Sequence, residues 1–231
     1  MANLQQRIQE IEQNIQAACQ RAGRDRSAIT VVAVTKEVSA ARASKMIEAG
    51  FDQLGENRPE VLLAKQQVIE TGATWHFIGN VQSRKVKDII DRVDCLHSVD
   101  RLSLVKEIQK RASQPVDCFI QVNVSGEATK SGVTPDELQQ FIEEVASYDK
   151  VRVIGLMTMA PFTEDMAMIR TVFRSLRELR DEIAALQLQH APCTQLSMGM
   201  SNDYSIAIEE GATHVRIGTA LVGGAESEGD A

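Results

Sequence analysis

The chain has 231 residues, 43% of them hydrophobic and 25% charged, which is sufficient for one large core. A net charge of −7 excludes the general electrostatic footprint of a nucleic-acid-binding protein. No apolar run approaches the roughly 20 residues that a membrane-spanning helix requires, and no secretory signal is visible, so we expect no membrane association. The cysteines are scattered without a Cys-x-x-Cys pair, which predicts buried thiols in the cytoplasm and no metal or redox site.

The predicted elements begin with a helix, since Leu4–Ala22 carries a helical apolar stripe that stops at Gly23. Eight short apolar runs follow and predict strands separated by helical stretches. The predicted strands are Ile29–Lys36, Phe51–Gly55, Thr74–Ile78, Val93–Ser98, Asp117–Val124, Val151–Met157, Thr194–Met198 and Thr213–Ile217. The clearest helices between them are Ala40–Ala49, Pro59 to about Thr71, Asp136–Ala146 and Asp165–Leu188.

Strands that alternate with helices pair in parallel through crossover connections. About eight such units in this length predict an α/β fold, a single (β/α)8 TIM-type barrel with an extra N-terminal helix. The alternative is an open doubly wound sheet, but no Gly-x-Gly-x-x-Gly follows any predicted strand. We predict one domain over residues 1–222 and an acidic, glycine-rich, disordered tail over residues 223–231.

The first predicted strand ends in a lysine. Val32, Val34 and Lys36 share one face because side chains alternate along a strand, and a lysine that follows buried valines is a candidate for Schiff-base chemistry. The alternative is an ammonium group that reaches water from the strand end. In a barrel the carboxyl ends of all strands open on one face, which carries function.

The loops after the last two strands have the features of a phosphate site. Met200 and Ser201 lead from strand seven into a short predicted helix, and Gly218 and Thr219 follow strand eight. A phosphate site built from these two loops recurs in such barrels, although Ser201 could equally serve only as a helix cap. Arg216, on strand eight, either pairs with a carboxylate or contacts a ligand.

A lysine, a phosphate loop pair and an arginine on one rim outline a pyridoxal 5′-phosphate (PLP) site. Motifs spread over nearly the whole chain also match those of a known family. Each motif is weak by itself, but their occurrence in this order is specific. They are Val34-Thr35-Lys36, Gly55-Glu56-Asn57, Trp75-His76-Phe77-Ile78-Gly79, Gln121-Val122-Asn123, Lys130-Ser131-Gly132, Gly155-Leu156-Met157-Thr158-Met159, Ser197-Met198-Gly199-Met200-Ser201 and Arg216-Ile217-Gly218-Thr219. By these motifs the chain resembles the pyridoxal phosphate homeostasis proteins, single-domain relatives of the alanine racemase barrel.

The resemblance implies a fold-type III barrel that holds PLP on Lys36. It implies that the phosphate lies on the Met200/Ser201 and Gly218/Thr219 loops, that Asn57 lies beside the cofactor and that Arg216 faces the pyridine nitrogen. Arg58 departs from the family pattern, where tyrosine is frequent. The segment Asn80-Val81-Gln82-Ser83-Arg84-Lys85 departs from the usual Gln-x-Asn-Lys, so no role is carried over to Asn80 or Ser83.

The resemblance also implies a carrier of PLP in vitamin B6 and amino/keto acid homeostasis, without an established turnover reaction. A cationic arginine at the pyridine nitrogen disfavours its protonation and weakens the ring as an electron sink. The barrel fills the chain, which leaves no room for the second domain of the racemases. We therefore expect a monomer with no catalytic residues, whose partners are PLP and the apoenzymes that accept it. Two alternatives stay open, a weak PLP-dependent amino-acid racemase or lyase and a cofactor-free Schiff-base aldolase.

Overall fold

The computed structural model describes residues 4–127 and 131–223. Eight strands form a closed, parallel barrel in which each strand pairs with its neighbours in the sequence and the last pairs with the first. The strands are β1 (Thr30–Val34), β2 (Gln53–Glu56), β3 (Thr74–Phe77), β4 (Cys95–Val99), β5 (Val116–Gln121), β6 (Val151–Met157), β7 (Gln195–Met200) and β8 (His214–Ile217). The barrel prediction is therefore confirmed and the open sheet is excluded.

Helices cover the outside of the barrel and connect its strands. They are α1 (Leu4–Ala22), α2 (Ala40–Glu48), α3 (Pro59–Gln66), α4 (Val86–Ile89), α5 (Leu102–Arg111), α6 (Pro135–Val145), α7 (Met166–Ala185), α8 (Tyr204–Glu209) and α9 (Thr219–Val222). The extra helix α1 packs against α8 and α9, with Ile11 and Ile15 buried. The main core lies between the barrel wall and these helices, where Ile15, Leu54 and Phe173 are fully buried.

Several element boundaries differ from the predicted ones. The helix after Pro59 ends at Gln66 instead of near Thr71, and β5 ends at Gln121, where Val122 makes a single bridge to Val133. The helix predicted over Asp136–Ala146 spans Pro135–Val145, with Pro135 in its first turn and a capping box formed by Thr134 and Glu137. The motif residue Lys130 and residues 224–231 of the predicted tail lie outside the described residues.

Three arginines of α7 fix the position of α8. Arg170, Arg174 and Arg177 each lie within 3.3 Å of the Glu210 carboxylate, which is 4% exposed. Arg170 also pairs with Glu209 at 2.5 Å. These charge-assisted bonds lower the pKa of both glutamates, against the effect of burial. They hold the end of α8, the helix that follows the loop after β7.

The four cysteines are free and buried, which confirms the prediction of buried thiols. In the part of the chain that the structure describes, no helix is long and apolar enough to cross a membrane.

Candidate functional site

Lys36 lies two residues beyond the end of β1, at the carboxyl end of the barrel. Its side chain is half-buried, and its carbonyl oxygen accepts a 3.4 Å hydrogen bond from the Arg58 guanidinium. Among residues 4–127 and 131–223, the Lys36 ammonium group has no hydrogen bond and no ion pair. The lysine therefore presents an uncommitted amine on the face where barrel sites are built.

A buried ion pair holds the segment that carries Lys36. The Lys65 ammonium from α3 contacts Glu56 Oε1 at 2.6 Å and also donates to the Thr35 carbonyl oxygen. The Thr35 hydroxyl donates to the same glutamate oxygen at 2.5 Å. Glu56 and Lys65 are 0% and 4% exposed. Because a buried charge needs a partner, this cluster ties the residue before Lys36 to β2 and α3.

Asn57 lies next to this cluster, directly after β2. Its backbone touches Gly79, because a Cβ at position 79 would lie 2.5 Å from the Asn57 carbonyl oxygen. A glycine is thus required where the ends of β2 and β3 meet. Asn57 Oδ1 and Glu56 Oε2 are buried without a hydrogen-bond partner in the described ranges. An unpaired buried amide oxygen is costly, so Asn57 has capacity for a ligand donor or a water.

The loops after β7 and β8 contact each other, as a shared phosphate site requires. The Gly218 N–H donates to Ser201 Oγ at 3.4 Å. Gly199 takes a left-handed φ of +92°, and a Cβ there would lie 2.5 Å from Ala207 Cβ. Thr219 is exposed as the first residue of α9.

The loop after β7 corrects one prediction, because the helix begins at Tyr204 and not directly after Ser201. Asp203 occupies the cap position, and its carboxylate accepts a 2.5 Å hydrogen bond from the Met200 N–H. Met200 would therefore have to release this bond before its N–H could bind a phosphate. Burial raises the pKa of the Asp203 carboxyl, while the Met200 N–H and the Arg216 charge lower it.

Arg216 is 5% exposed, with its guanidinium inside the barrel. It donates to Ser197 Oγ and, at 3.0 Å, to the Thr158 carbonyl oxygen. The ion pair with a carboxylate that the sequence allowed is not formed, since Arg216 has no ion pair among the described residues. Asp203 affects Arg216 only through its negative charge, which raises the pKa of the guanidinium. Burial lowers the pKa of Arg216 to about 10, so it stays cationic at neutral pH. Two of its five N–H groups are used, which leaves three for a ligand or water.

These residues come from consecutive strands of the closed barrel, β7, β8, β1 and β2. Val32 of β1 is in register with Arg216, and Val34 with Gly55, two residues before Asn57. Gly218 lies beside Val34, since its missing Cβ would be 3.7 Å from that of the valine. The predicted site residues Lys36, Asn57, Ser201, Arg216 and Gly218 are thus brought to one part of the rim.

The sequence did not indicate every residue that supports this site. His97, which falls within the predicted strand Val93–Ser98, is 0% exposed inside the barrel. Lys65 was not predicted because it lies on a helix like any surface lysine. Its signal in the sequence is the spacing of nine residues from Glu56 across a strand-to-helix turn, which is weak by itself.

A cavity of about 570 Å³ adjoins the loop after β7, between Met200–Asp203 and the segment that leads into α7. Its outer wall is apolar, with Phe162 97% exposed and Met166 56% exposed.

The fold and a matching family model assign the chain to a broad class of proteins. A family model of the alanine racemase N-terminal domain matches residues 7–226. An alanine racemase from Corynebacterium glutamicum has the same fold, with a TM-score of 0.68 at 17% identity, over 91% of this chain and 60% of that one.

The curated relatives define the family more narrowly. The pyridoxal phosphate homeostasis protein of Aquifex aeolicus is 41% identical over 96% of this chain and 98% of its own length. The protein of the same name from Pseudomonas aeruginosa is 37% identical over 96% of both chains. The chain belongs to the family of the pyridoxal phosphate homeostasis proteins, within the alanine racemase N-terminal domain class.

Solved structures agree with this assignment. PipY of Synechococcus elongatus without PLP has a TM-score of 0.81 at 31% identity, covering 91% of this chain and 99% of that one. PipY with PLP bound has a TM-score of 0.77 at 29% identity, covering 92% and 100%.

Proposed function

We propose that the protein binds PLP covalently, as a Schiff base on Lys36, and acts in the homeostasis of this cofactor without a turnover reaction of its own. The observation that carries the proposal is the grouping of a free amine, a buried arginine and two joined loops on four consecutive strands. The names of the curated relatives and the PLP-bound structure of PipY support the same cofactor.

Each part of PLP has a partner in this grouping. The Lys36 amine would condense with the aldehyde and release water. The Ser201 hydroxyl and the first turn of α9 at Thr219 offer donors to the phosphate, and the Gly218 N–H would have to release Ser201 Oγ before it could join them. The free N–H groups of Arg216 suit the pyridine nitrogen as an acceptor.

Two features of the structure favour a ligand at this place. The buried Asn57 Oδ1 has no partner in residues 4–127 and 131–223, and a donor group of a bound molecule would satisfy it. No close protein contact requires a glycine at position 218, because its Cβ would meet nothing nearer than 3.7 Å. A glycine at this point keeps space on the open side of the loop.

The proposed absence of turnover rests on the charge at the pyridine nitrogen. Arg216 is cationic at neutral pH and would oppose protonation of the ring, which weakens the stabilisation of carbanions. The likeness to the homeostasis proteins extends over 98% of the Aquifex relative, whereas that to the racemase covers 60% of its chain. We further infer that the protein acts as a monomer in the cytoplasm and passes PLP to apoenzymes, in keeping with its free, buried thiols.

Titration with PLP, followed by visible absorbance, tests this proposal. The wild-type protein is expected to acquire the absorbance band of a Schiff base, and Lys36→Ala to lose it while keeping weaker, phosphate-dependent binding. Lys110→Ala removes an exposed lysine of α5 and serves as the matched control, with an unchanged band. Unchanged colour in Lys36→Ala would contradict the assignment, and a wild-type protein that stays colourless would favour the aldolase.

Exchange of the α-proton of amino acids into deuterated water separates a carrier from an enzyme. The loaded protein is expected to show no steady exchange above free PLP. Steady exchange that depends on Lys36 would replace the carrier with a PLP-dependent racemase or lyase.

A further inference from the structure

A row of polar side chains crosses the inside of the barrel below the proposed site. It consists of Gln53 at the start of β2, His76, His97, Ser197 and Arg216. Gln53 Oε1 is 2.9 Å from His76 Nε2, His76 Nδ1 is 2.9 Å from His97 Nε2, and His97 Nδ1 is 2.8 Å from Ser197 Oγ. With the bond from Arg216 to Ser197, the row is continuous from the solvent end of β2 to the arginine.

The outer end of the row fixes the direction of its hydrogen bonds. The Gln53 amide nitrogen donates to Asp52 Oδ1 at 3.0 Å, so the amide oxygen faces His76. His76 must then donate from Nε2, and as a neutral ring it accepts at Nδ1. His97 accordingly donates from Nε2 and accepts at Nδ1.

The inner end is consistent with the same direction. A guanidinium can only donate, so Ser197 Oγ accepts from Arg216. Its hydroxyl hydrogen is then available to His97 Nδ1, which the outer end has already made an acceptor. Both ends therefore agree on one arrangement, in which every bond points away from the cation.

Burial keeps both rings neutral. His76 and His97 are 3% and 0% exposed. Burial lowers the pKa of His76 to about 4, with Asp94 and Asp52 opposing. Burial also lowers the pKa of His97 well below its usual value, with His76, Arg216 and His214 adding to the effect. A neutral imidazole with both nitrogens bonded is the state that the direction above requires.

We propose that Gln53, His76, His97 and Ser197 form a one-directional hydrogen-bond chain that anchors Arg216 under the pyridine ring, with both imidazoles protonated on Nε2. This rests on the proposed function only for the identity of the ring above Arg216. Ser197 and His97 are thus positioning residues, since they act on the cofactor through the arginine. Displacement of the guanidinium would leave the Ser197 oxygen short of a charged donor and disturb each bond behind it.

A metal ion is the competing use of the same place. His76, Cys95 and His97 present ligand atoms within 4.8 Å of one another. All four imidazole nitrogens are already hydrogen-bonded, however, and burial raises the pKa of the Cys95 thiol, against its use as a thiolate. The geometry therefore favours the hydrogen-bond chain.

The first test uses the protein without PLP, so that it stands apart from the proposed function. Long-range ¹H–¹⁵N correlation on protein labelled in its four histidines separates protonated from unprotonated ring nitrogens. Both His76 and His97 are expected to carry their proton on Nε2 at pH 5.5 and at pH 8. A proton on Nδ1 of either ring, a charged ring at pH 7 or a shift caused by added Zn²⁺ would overturn the proposal.

Variants test the link to Arg216. Ser197→Ala is expected to shift the His97 Nδ1 resonance and to raise the PLP concentration for half-saturation about tenfold, and Ser197→Thr to restore both. Ser98→Ala, another buried serine of the barrel, should leave the Nε2 protonation of both rings unchanged. Gln53→Leu, at the half-exposed end of the row, removes the acceptor of the His76 Nε2–H. The proton of His76 should then no longer be fixed on Nε2, and this measurement does not depend on whether Ser197→Ala folds. Unchanged PLP affinity in Ser197→Ala, or an unchanged His76 signal in Gln53→Leu, would contradict the hydrogen-bond chain. Wild-type protein that shows the expected tautomers but does not bind PLP would overturn only the proposed function.

Discussion

At the scale of single residues, the position of Lys36 depends on the residue before it more than on contacts of its own side chain. Thr35 is held through its hydroxyl and its carbonyl by one buried ion pair, Glu56 with Lys65. The amine that follows is left free among the described residues. The sequence predicted the reactive lysine because a strand preceded it, but the ion pair that holds it joins two elements and has no local pattern.

Removal of one member of the buried ion pair between Glu56 and Lys65 should strongly destabilise the protein. Lys65→Met leaves the Glu56 carboxylate buried and unpaired, which costs about 3–5 kcal/mol of unfolding free energy. The double variant Glu56→Leu, Lys65→Met should cost less, because no charge remains buried. Urea denaturation measures both.

The exposed pair Arg111–Glu107 on α5 provides the control for this comparison. Glu107→Gln should change the unfolding free energy by no more than about 0.5 kcal/mol. A Lys65→Met effect as small as that of Glu107→Gln would show that the buried pair does not hold the segment.

At the scale of elements, the loop after β7 is shaped by a glycine as well as by its polar residues. Gly199 lies at a φ of +92° with its backbone against Tyr204 and Ala207 of α8. The sequence motif indicated a phosphate loop here, and the loop does meet that of β8. The start of α8 was misplaced because serine and asparagine are as good helix caps as Asp203, so the sequence pattern does not distinguish them; in the structure Asp203 holds the cap position while its carboxylate binds the Met200 N–H.

Gly199→Ala is expected to disturb this loop by overlap as well as by backbone strain. Its Cβ would lie 2.5 Å from Ala207 Cβ, which adds about 1–3 kcal/mol of destabilisation to the left-handed backbone cost. Gly23→Ala is the matched control, because Gly23 also has a positive φ, +63°, but no atom within 4 Å of the added methyl group. Equal losses of unfolding free energy in the two variants would show that the contact with α8 is unimportant.

At the scale of the whole molecule, the barrel was predictable because each strand and helix repeats the same short-range pattern. The strand Val151–Met157 was predicted with its observed bounds, since apolar and β-branched residues fill it and polar residues flank it. The polar interior was not predictable. It depends on contacts across the barrel, such as His97 of β4 with Ser197 of β7, between strands that are not neighbours in the sheet.

The buried imidazoles should make the stability of the fold depend on pH. The pKa of His76 is lowered to about 4, that of His214 to about 3, and that of His97 well below its usual value. In the unfolded chain these groups titrate near 6.5, so unfolding takes up protons as the pH falls below that value. The contribution of these imidazoles to the free energy of unfolding is therefore fully present above about pH 6.5 and is lost as the pH falls toward 4.

Between pH 7.5 and pH 5.5 we expect the free energy of unfolding to fall by a little over 1 kcal/mol for each imidazole, or about 4 kcal/mol for the three together. The pKa values of Glu209 and Glu210 are lowered from 4.5, so their contribution is lost only at lower pH. Denaturant unfolding at a series of pH values measures the slope. A flat profile across this interval would mean that the imidazoles are not held neutral.

The central claim is that Lys36 carries PLP, and reduction with borohydride followed by peptide mapping tests it most directly. The PLP-loaded protein is reduced, digested and analysed by mass spectrometry for the modified lysine. We expect one adduct, on Lys36, with loss of the visible absorbance on reduction. An adduct on another lysine, or no adduct in a protein that binds PLP, would contradict the account.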